Sequence, residues 1–172
     1  MTAATLVATL VATLWAAHLA GQLNRRRYYS LALRPRTTPW RIATHFWVHR
    51  DLLHLFFNSV PLALFAWLIS VRGTDLFLLQ SICICLIGGC GTWLFSTSKR
   101  VAGASGLVFG YWGLILTAAI TSRDQLWGAA AIITLLTYAG LGAGLGRLSR
   151  GVSWSSHFWG LLGGVVAALL TV

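Results

Sequence analysis

A short run of small residues holds the first group that could do chemistry. Ser105 stands between Ala104 and Gly106, after Gly103, at the start of an apolar stretch. Small residues let membrane helices approach closely, which is one explanation of this run. A serine next to a general base is a nucleophile, which is a second explanation. Which explanation holds depends on whether the chain supplies a base at the same depth in the membrane.

Three further polar residues lie in apolar stretches at a similar, shallow depth. His54 and Asn58 are spaced i, i+4 and therefore share one face of a helix. His157 is followed on its own face by Gly160 and Gly164, which lie at i+3 and i+7. Each polar residue alone could be an interhelical hydrogen-bonding group, although such residues are costly in a membrane and usually face a cavity. Their occurrence at the depth of the serine favours a functional site.

Serine and histidine in this pattern predict acyl transfer. His157 is the candidate base that takes the proton of Ser105 and returns it to a leaving amine. Because the sequence has no glutamate and only three aspartates, no acidic third member is evident and a dyad is expected. Donors to the oxyanion would be His54, Asn58 and the Ser105 backbone N–H, each worth about 3 kcal/mol. Asp51 is interpreted as the N-cap of a helix and not as a triad member.

Composition indicates that a membrane protein must position these residues. The chain of 172 residues is 57% hydrophobic and 9% charged, whereas soluble domains carry about 25% charged residues. Helices that span a bilayer need about 20 apolar residues. The candidate spans are 3–21, 52–71, 76–97, 103–121, 125–146 and 154–172. We therefore predict an all-α membrane protein, a bundle of six transmembrane helices in a single domain over residues 1–172, with no soluble domain.

The longest connection between apolar stretches and the distribution of charge both indicate contact with the membrane surface. The segment 22–50 holds seven arginines, two prolines and many aromatic residues, and is predicted to be a structured loop at the membrane interface. The net charge is +10, but the basic residues lie in short connections, where they meet lipid headgroups and not nucleic acid.

Cys83, Cys85 and Cys90 share one apolar run without a CxxC pair, so we interpret them as small apolar residues and expect no metal site.

Three motifs in chain order resemble the rhomboid family of intramembrane serine proteases. Residues 40–58 read WRIATHFWVHRDLLHLFFN, similar to the family's Trp-Arg loop element followed by its His-x-x-x-Asn element. Residues 103–106 read GASG, similar to its nucleophile motif. Residues 152–164 read VSWSSHFWGLLGG, similar to its last helix with the base histidine and packing glycines. The nucleophile motif alone is weak, but three motifs in order on the expected spans are strong together.

The resemblance implies a serine endopeptidase that cleaves membrane-anchored proteins in or near a transmembrane segment. It implies Ser105 as nucleophile, His157 as general base, His54 and Asn58 in the oxyanion hole, and no metal or cofactor. The location would be a bacterial-type inner or plasma membrane. The supporting residues implied in the same way are Gly103, Gly106, Phe109, Gly160, Gly164, Trp40, Arg41, His45 and His49.

Two features depart from the family's pattern. Its glutamate near the cytoplasmic end of the second span has no counterpart in residues 69–75. Many members have a tyrosine where this chain has Phe109, which could stack on His157 but lacks a hydroxyl. The alternative reading is a catalytically silent relative that binds transmembrane helices as a chaperone or adaptor. Such relatives usually lack the serine or the histidine, and this chain has both.

Charge and resemblance give opposite membrane orientations. The connections on the side of segment 22–50 carry eleven Lys and Arg residues, against Arg72 and Arg123 on the other side. The positive-inside rule would place the first side in the cytoplasm. The resemblance places it outside, with both termini in the cytoplasm, and is the orientation that we favour.

Overall fold

The computed structural model describes residues 2–122, 124–145 and 153–172. Helices account for nearly all of this part of the chain. They are α1 (Ala3–Leu23), α2 (Arg25–Ser30), α3 (Leu52–Ser70), α4 (Thr74–Phe95), α5 (Ser105–Thr121), α6 (Gln125–Leu145) and α7 (Trp154–Thr171). Two 3-10 helices, Pro39–Ile42 and His45–Trp47, lie between α2 and α3. The predicted all-α architecture is confirmed.

Six of these helices occupy the six predicted apolar stretches, and local chemistry explains where they begin. Asp51 caps α3 as predicted, because its carboxylate accepts from the His54 backbone N–H at 2.8 Å. The predicted start of α5 at residue 103 is wrong by two residues. Gly103 has φ 112° and cannot belong to a right-handed helix, so α5 begins at Ser105. Gly73, with φ 142°, likewise precedes α4.

Length and apolarity identify three of the described helices as able to cross a membrane. These are α1, α3 and α4, with 21, 19 and 22 residues. The helix α5 and the Gln125–Tyr138 part of α6 are apolar but shorter. Large apolar side chains on several helices are exposed, among them Ile120 at 85% and Leu170 at 74%. Such a surface suits lipid and not water.

The helix α5 lies at the centre of the bundle. It packs against α3, α4, α6 and, most extensively, α7, which also lies along α4, while α1 packs on α3. Hydrogen bonds join neighbouring helices: Trp15 Nε1 donates to Ser59 Oγ at 3.1 Å between α1 and α3. Ser81 and Tyr111 bond through their hydroxyls at 2.8 Å between α4 and α5. Apolar packing and such bonds stabilise helix contacts inside a membrane.

The loop between α1 and α3 is ordered by hydrogen bonds within it and by contacts with α4. Asn24 ends α1 and caps α2 by accepting from the Arg27 backbone N–H at 3.0 Å. Ile42 packs into the space left by the missing side chain of Gly89 on α4. The Arg36 N–H donates to the Trp93 carbonyl oxygen of α4 at 3.0 Å. The loop therefore lies against the last turns of α4.

Candidate active site

Ser105 is the first residue of α5, and the residues before it are tied to the loop between α2 and α3. Leu33 and Val101 exchange two backbone hydrogen bonds, of 2.8 and 2.9 Å, in an isolated antiparallel bridge. The Gly103 N–H then donates to the His45 carbonyl oxygen at 3.0 Å. The positive φ of Gly103 suits glycine, because a Cβ would be strained there. Backbone contacts with the loop thus fix the position of the segment that precedes Ser105.

His49 supplies the next contact along this segment. Its Nε2 accepts from the Ala104 backbone N–H at 3.3 Å, so the ring proton is on Nδ1, 3.4 Å from the Trp47 carbonyl oxygen. The side chain is fully buried, and burial lowers the pKa of His49 to about 3. At neutral pH His49 is therefore an uncharged acceptor that fixes the residue directly before Ser105.

His45 is buried in the same loop and closes a turn of it. Its Nδ1–H lies 3.1 Å from the Arg41 carbonyl oxygen and 3.0 Å from that of Ile42. Burial lowers the pKa of His45 to about 4, while these two backbone hydrogen bonds act in the opposite direction. His45 is also uncharged at neutral pH, and its ring lies tilted against Phe46.

The buried hydroxyl of Tyr28 connects three other residues, a role that the sequence analysis did not predict. A phenol has one proton and two lone pairs, and Tyr28 uses all three. Its hydroxyl donates to the Trp47 carbonyl oxygen at 2.8 Å and accepts from the His49 backbone N–H at 2.8 Å. It also lies 3.3 Å from Nδ1 of His18 on α1. The only sequence signal is Gly21, whose missing side chain makes room for the Tyr28 ring.

His54 and Asn58 converge on Gly103, two residues before Ser105. A Cβ placed on Gly103 would lie 2.9 Å from His54 Nε2 and 3.4 Å from Asn58 Nδ2. The Arg50 N–H donates to His54 Nδ1 over 3.5 Å, which leaves the imidazole proton on Nε2. Asn58 Nδ2 is buried and has no hydrogen-bond partner among the described residues. The Nε2–H of His54 and the side-chain N–H of Asn58 therefore both lie beside the backbone of Gly103.

Glycines bring α7 directly against the first turns of α5. A Cβ on Gly106 would lie 2.7 Å from Ser156 Oγ. A Cβ on Gly160 would overlap the Gly106 carbonyl group, and one on Gly164 would overlap that of Gly110. The predicted packing role of these glycines is confirmed. It brings together the two helices that carry Ser105 and His157.

His157, on α7, packs against Phe109 of α5, one helical turn after Ser105. Its ring stacks on Phe109, with centroids 4.1 Å apart and planes 11° apart, as the sequence suggested. Phe109 is one helical turn after Ser105, on the same face. The buried Nδ1 of His157 has no hydrogen-bond partner in the part of the chain that the structure describes. Ser105 and His157 are not hydrogen-bonded to each other, and catalytic hydrogen bonds often form only when substrate binds.

Trp40 and Arg41 lie on the first 3-10 helix. The Arg41 guanidinium stands 5.2 Å from the centroid of the Trp40 ring, and Trp40 is 54% exposed. Arg41 Nε and Nη1 are buried and have no hydrogen-bond partner among the residues described. Within the same residues, no three His, Cys, Asp or Glu side chains form a cluster that could hold a metal ion. The arrangement around Ser105 is one for acid–base and nucleophilic chemistry.

Comparison with known proteins identifies the family. The family model of the Rhomboid domain matches residues 36–172, a range that includes Ser105, His157, His54 and Asn58. The chain belongs to the rhomboid family. Its membership and its apolar helices together make it an integral membrane protein. The predicted family is confirmed.

The chain is similar to several bacterial proteins. It is 31% identical over 178 residues to the uncharacterized protein Rv1337 of Mycobacterium tuberculosis, covering 96% of this chain and 74% of that protein. It is 33% identical over 138 residues to the putative rhomboid protease YdcA of Bacillus subtilis, covering 77% and 67%. It is 29% identical over 137 residues to the rhomboid protease GluP of Bacillus subtilis, covering 75% and 25%.

Proposed function

We propose that this rhomboid is an active intramembrane serine endopeptidase with a Ser105–His157 dyad. One observation carries the proposal. The N–H donors of His54 and Asn58 lie beside Gly103, two residues before Ser105, while His157 stacks on Phe109 one turn after Ser105. A nucleophile, a base and unpartnered donors at one end of α5 are the components of acyl transfer.

The chemical steps follow from these positions. Ser105 Oγ attacks the carbonyl carbon of the scissile peptide bond as its proton passes to His157. The oxygen of that carbonyl becomes negative and takes hydrogen bonds from His54 Nε2 and Asn58 Nδ2. His157 then gives the proton to the leaving amine nitrogen as the C–N bond breaks, which leaves an acyl group on Ser105. Water, activated by His157, hydrolyses the ester and restores the serine.

The uncharged state of the surrounding histidines supports this mechanism. His49 at neutral pH presents a lone pair to the Ala104 N–H, which fixes the backbone that carries the nucleophile. A dyad without an acid requires that His157 be kept in place by other contacts, and the Phe109 stack does this. The hydroxyl that many family members carry at this position is not needed for the stack itself.

The wider setting of the proposal is the bilayer. We infer that α1, α3, α4, α5, α6 and α7 each cross it and form a single domain. Substrates would be membrane-anchored proteins cleaved in or near a transmembrane segment, and no metal or cofactor takes part. The loop that carries Trp40 and Arg41 would lie outside the cytoplasm. Labelling single cysteines introduced at Arg25 and at Arg123 from each side of intact cells tests that orientation.

A cleavage assay tests the function. Purified wild-type protein, reconstituted in liposomes, should cleave a reporter that contains an unstable transmembrane segment. Ser105→Ala should abolish cleavage and leave the thermal unfolding midpoint unchanged, because the hydroxyl of Ser105 makes no hydrogen bond to the residues that the structure describes. Cleavage retained in Ser105→Ala would refute the mechanism. A wild-type protein inert both to reporters and to a fluorophosphonate probe would favour the silent relative that binds transmembrane helices.

A further inference from the structure

Three arginines lie near one another on the loop side of the candidate site. Leu33 and Val101 pair in an antiparallel bridge, so Arg34 and Arg100 are the next residues on the two paired segments and are adjacent in backbone register. Arg41 joins them from the first 3-10 helix, and burial together with the charges of Arg34 and Arg100 lowers the pKa of Arg41. We call Arg34, Arg41 and Arg100 the arginine triad.

The arginine triad has no carboxylate to neutralise it within the described residues. The sequence contains no glutamate and three aspartates. Asp51 is bonded to Arg50 and Asp124 to Arg72. Asp75 lies in the first turn of α4, about 27 Å along that helix from Trp93, where the loop is attached, at 1.5 Å per residue. Among the described residues no aspartate pairs with the arginine triad, so an anion bound there would come from outside the chain.

Two details indicate that the arginine triad is arranged for a ligand. Like charges on adjacent backbone segments repel each other, yet the Leu33–Val101 bridge places Arg34 and Arg100 on two such segments. Arg41 Nε and Nη1 are buried and have no hydrogen-bond partner among the described residues. Unpaired buried donors on a cation are costly, and a phosphate oxygen would satisfy them with charge-assisted hydrogen bonds.

The surroundings of the arginine triad favour a lipid as the source of that phosphate. The loop is bonded to Trp93, near the end of α4, and the neighbouring Leu94 and Phe95 are 46% and 63% exposed. Trp40, beside Arg41, is 54% exposed, as is common for tryptophan at a membrane interface. A ligand with a phosphate on the guanidinium groups and acyl chains along the end of α4 fits both surfaces.

We propose that the arginine triad binds the phosphate group of an anionic phospholipid. The headgroup would lie between the loop and the segment 96–104, and would add one more link to the backbone contacts that already join them. Arg is suited to this role because its planar guanidinium can bind phosphate in a bidentate manner. The proposal concerns binding and does not depend on proteolytic activity.

Lipid titration of the purified protein tests the proposal. Phosphatidylglycerol is added to the wild-type protein in a neutral maltoside detergent, and unfolding is followed by tryptophan fluorescence. A ligand that binds only the folded state raises the unfolding temperature in a saturable manner. We expect this from phosphatidylglycerol, a clearly smaller effect from zwitterionic phosphatidylcholine, and little from inorganic phosphate. An equal effect of phosphatidylcholine would overturn the anionic lipid, and an equal effect of inorganic phosphate would overturn the lipid source.

Matched variants distinguish lipid binding at the arginine triad from a general effect of the protein's positive charge. Arg34→Gln combined with Arg100→Gln removes two charges of the arginine triad and leaves Arg41 in place. Arg25→Gln combined with Arg26→Gln removes the same charge from exposed positions of α2. The first pair should weaken phosphatidylglycerol binding at least tenfold, and the second less than threefold. Equal weakening by both pairs would overturn the site.

The order of stabilities provides a second, independent readout. Without anionic lipid, the Arg34→Gln and Arg100→Gln pair should unfold at a higher temperature than the wild type, because it relieves repulsion across the bridge. With saturating phosphatidylglycerol the order should reverse. If this double variant does not fold, Arg100→Gln alone, at an exposed position, is compared with wild type by counting retained phosphatidylglycerol in native mass spectrometry. Equal retention by the two proteins would contradict the proposal.

Discussion

Replacing Gly160 with alanine is the change that most directly separates the two halves of the proposed site. A Cβ on Gly160 would overlap the backbone carbonyl group of Gly106, the residue directly after Ser105. No side chain can rotate away, because the obstructing atoms belong to the backbone of α5. The helices α5 and α7 must therefore move apart, and His157 moves with α7.

The structure lets the size of the effect be estimated. Overpacking of this kind costs about 1–3 kcal/mol, and replacing a helical glycine with alanine returns about 0.5–1 kcal/mol. We expect a net loss of about 1–2 kcal/mol in the free energy of unfolding. A misplacement of about 1 Å between Ser105 and His157 should lower the acylation rate roughly 100-fold. The fall in rate should thus be far larger than the fall in folded population.

Gly128→Ala is the matched control for Gly160→Ala. Gly128 is also helical, on α6, but a Cβ there would meet no atom within 4 Å. Equilibrium unfolding in mixed detergent gives the stability, and the rate of fluorophosphonate labelling gives the reactivity of Ser105. The control should be as stable as wild type or slightly more so, with an unchanged labelling rate. If Gly160→Ala behaves like Gly128→Ala, helix proximity does not set the reactivity of the serine.

Three further predictions concern the groups around the nucleophile. Tyr28→Phe should lower the labelling rate five- to tenfold per folded molecule, because it releases His49. Tyr29→Phe should have little effect. Equal labelling rates in the two variants would refute the role of the Tyr28 hydroxyl. Asn58→Ala should lower kcat about 100-fold and leave KM within about threefold, and a change confined to KM would show that it binds substrate only. His45 and His49 have lowered pKa values in the folded state, so the unfolded state takes up protons first as pH falls below about 6.5. Stability should therefore fall between pH 6.5 and 4.5, by roughly 2 kcal/mol for each histidine, and a flat unfolding profile over this range would contradict their buried neutral state.

The sequence was a good guide wherever a local signal was sufficient. Long apolar runs located six of the helices, and the aspartate at position 51 was identified as an N-cap because Asp commonly accepts from the first turn. Both predictions depend on residues close together in the chain. The stack of Phe109 on His157 was suggested instead by the resemblance to the rhomboid family, in which an aromatic residue follows the serine by one turn.

Contacts between distant segments could not be predicted in this way. The Leu33–Val101 bridge joins residues 68 positions apart and is not part of a strand, so neither periodicity nor composition signals it. Tyr28 contacts His49 through a hydroxyl and a backbone N–H, and any tyrosine in an arginine-rich run would look the same. The start of α5 depends on the φ of Gly103, which the loop imposes.

The central claim is that Ser105 is a nucleophile activated by His157. The most direct measurement is to treat the purified protein with a fluorophosphonate and to locate the adduct by peptide mass spectrometry. The account predicts a single adduct on Ser105 in the wild type, lost when His157 is replaced by alanine although the protein remains folded. An adduct on another residue, no adduct at all, or labelling of Ser105 that persists without His157 would contradict it.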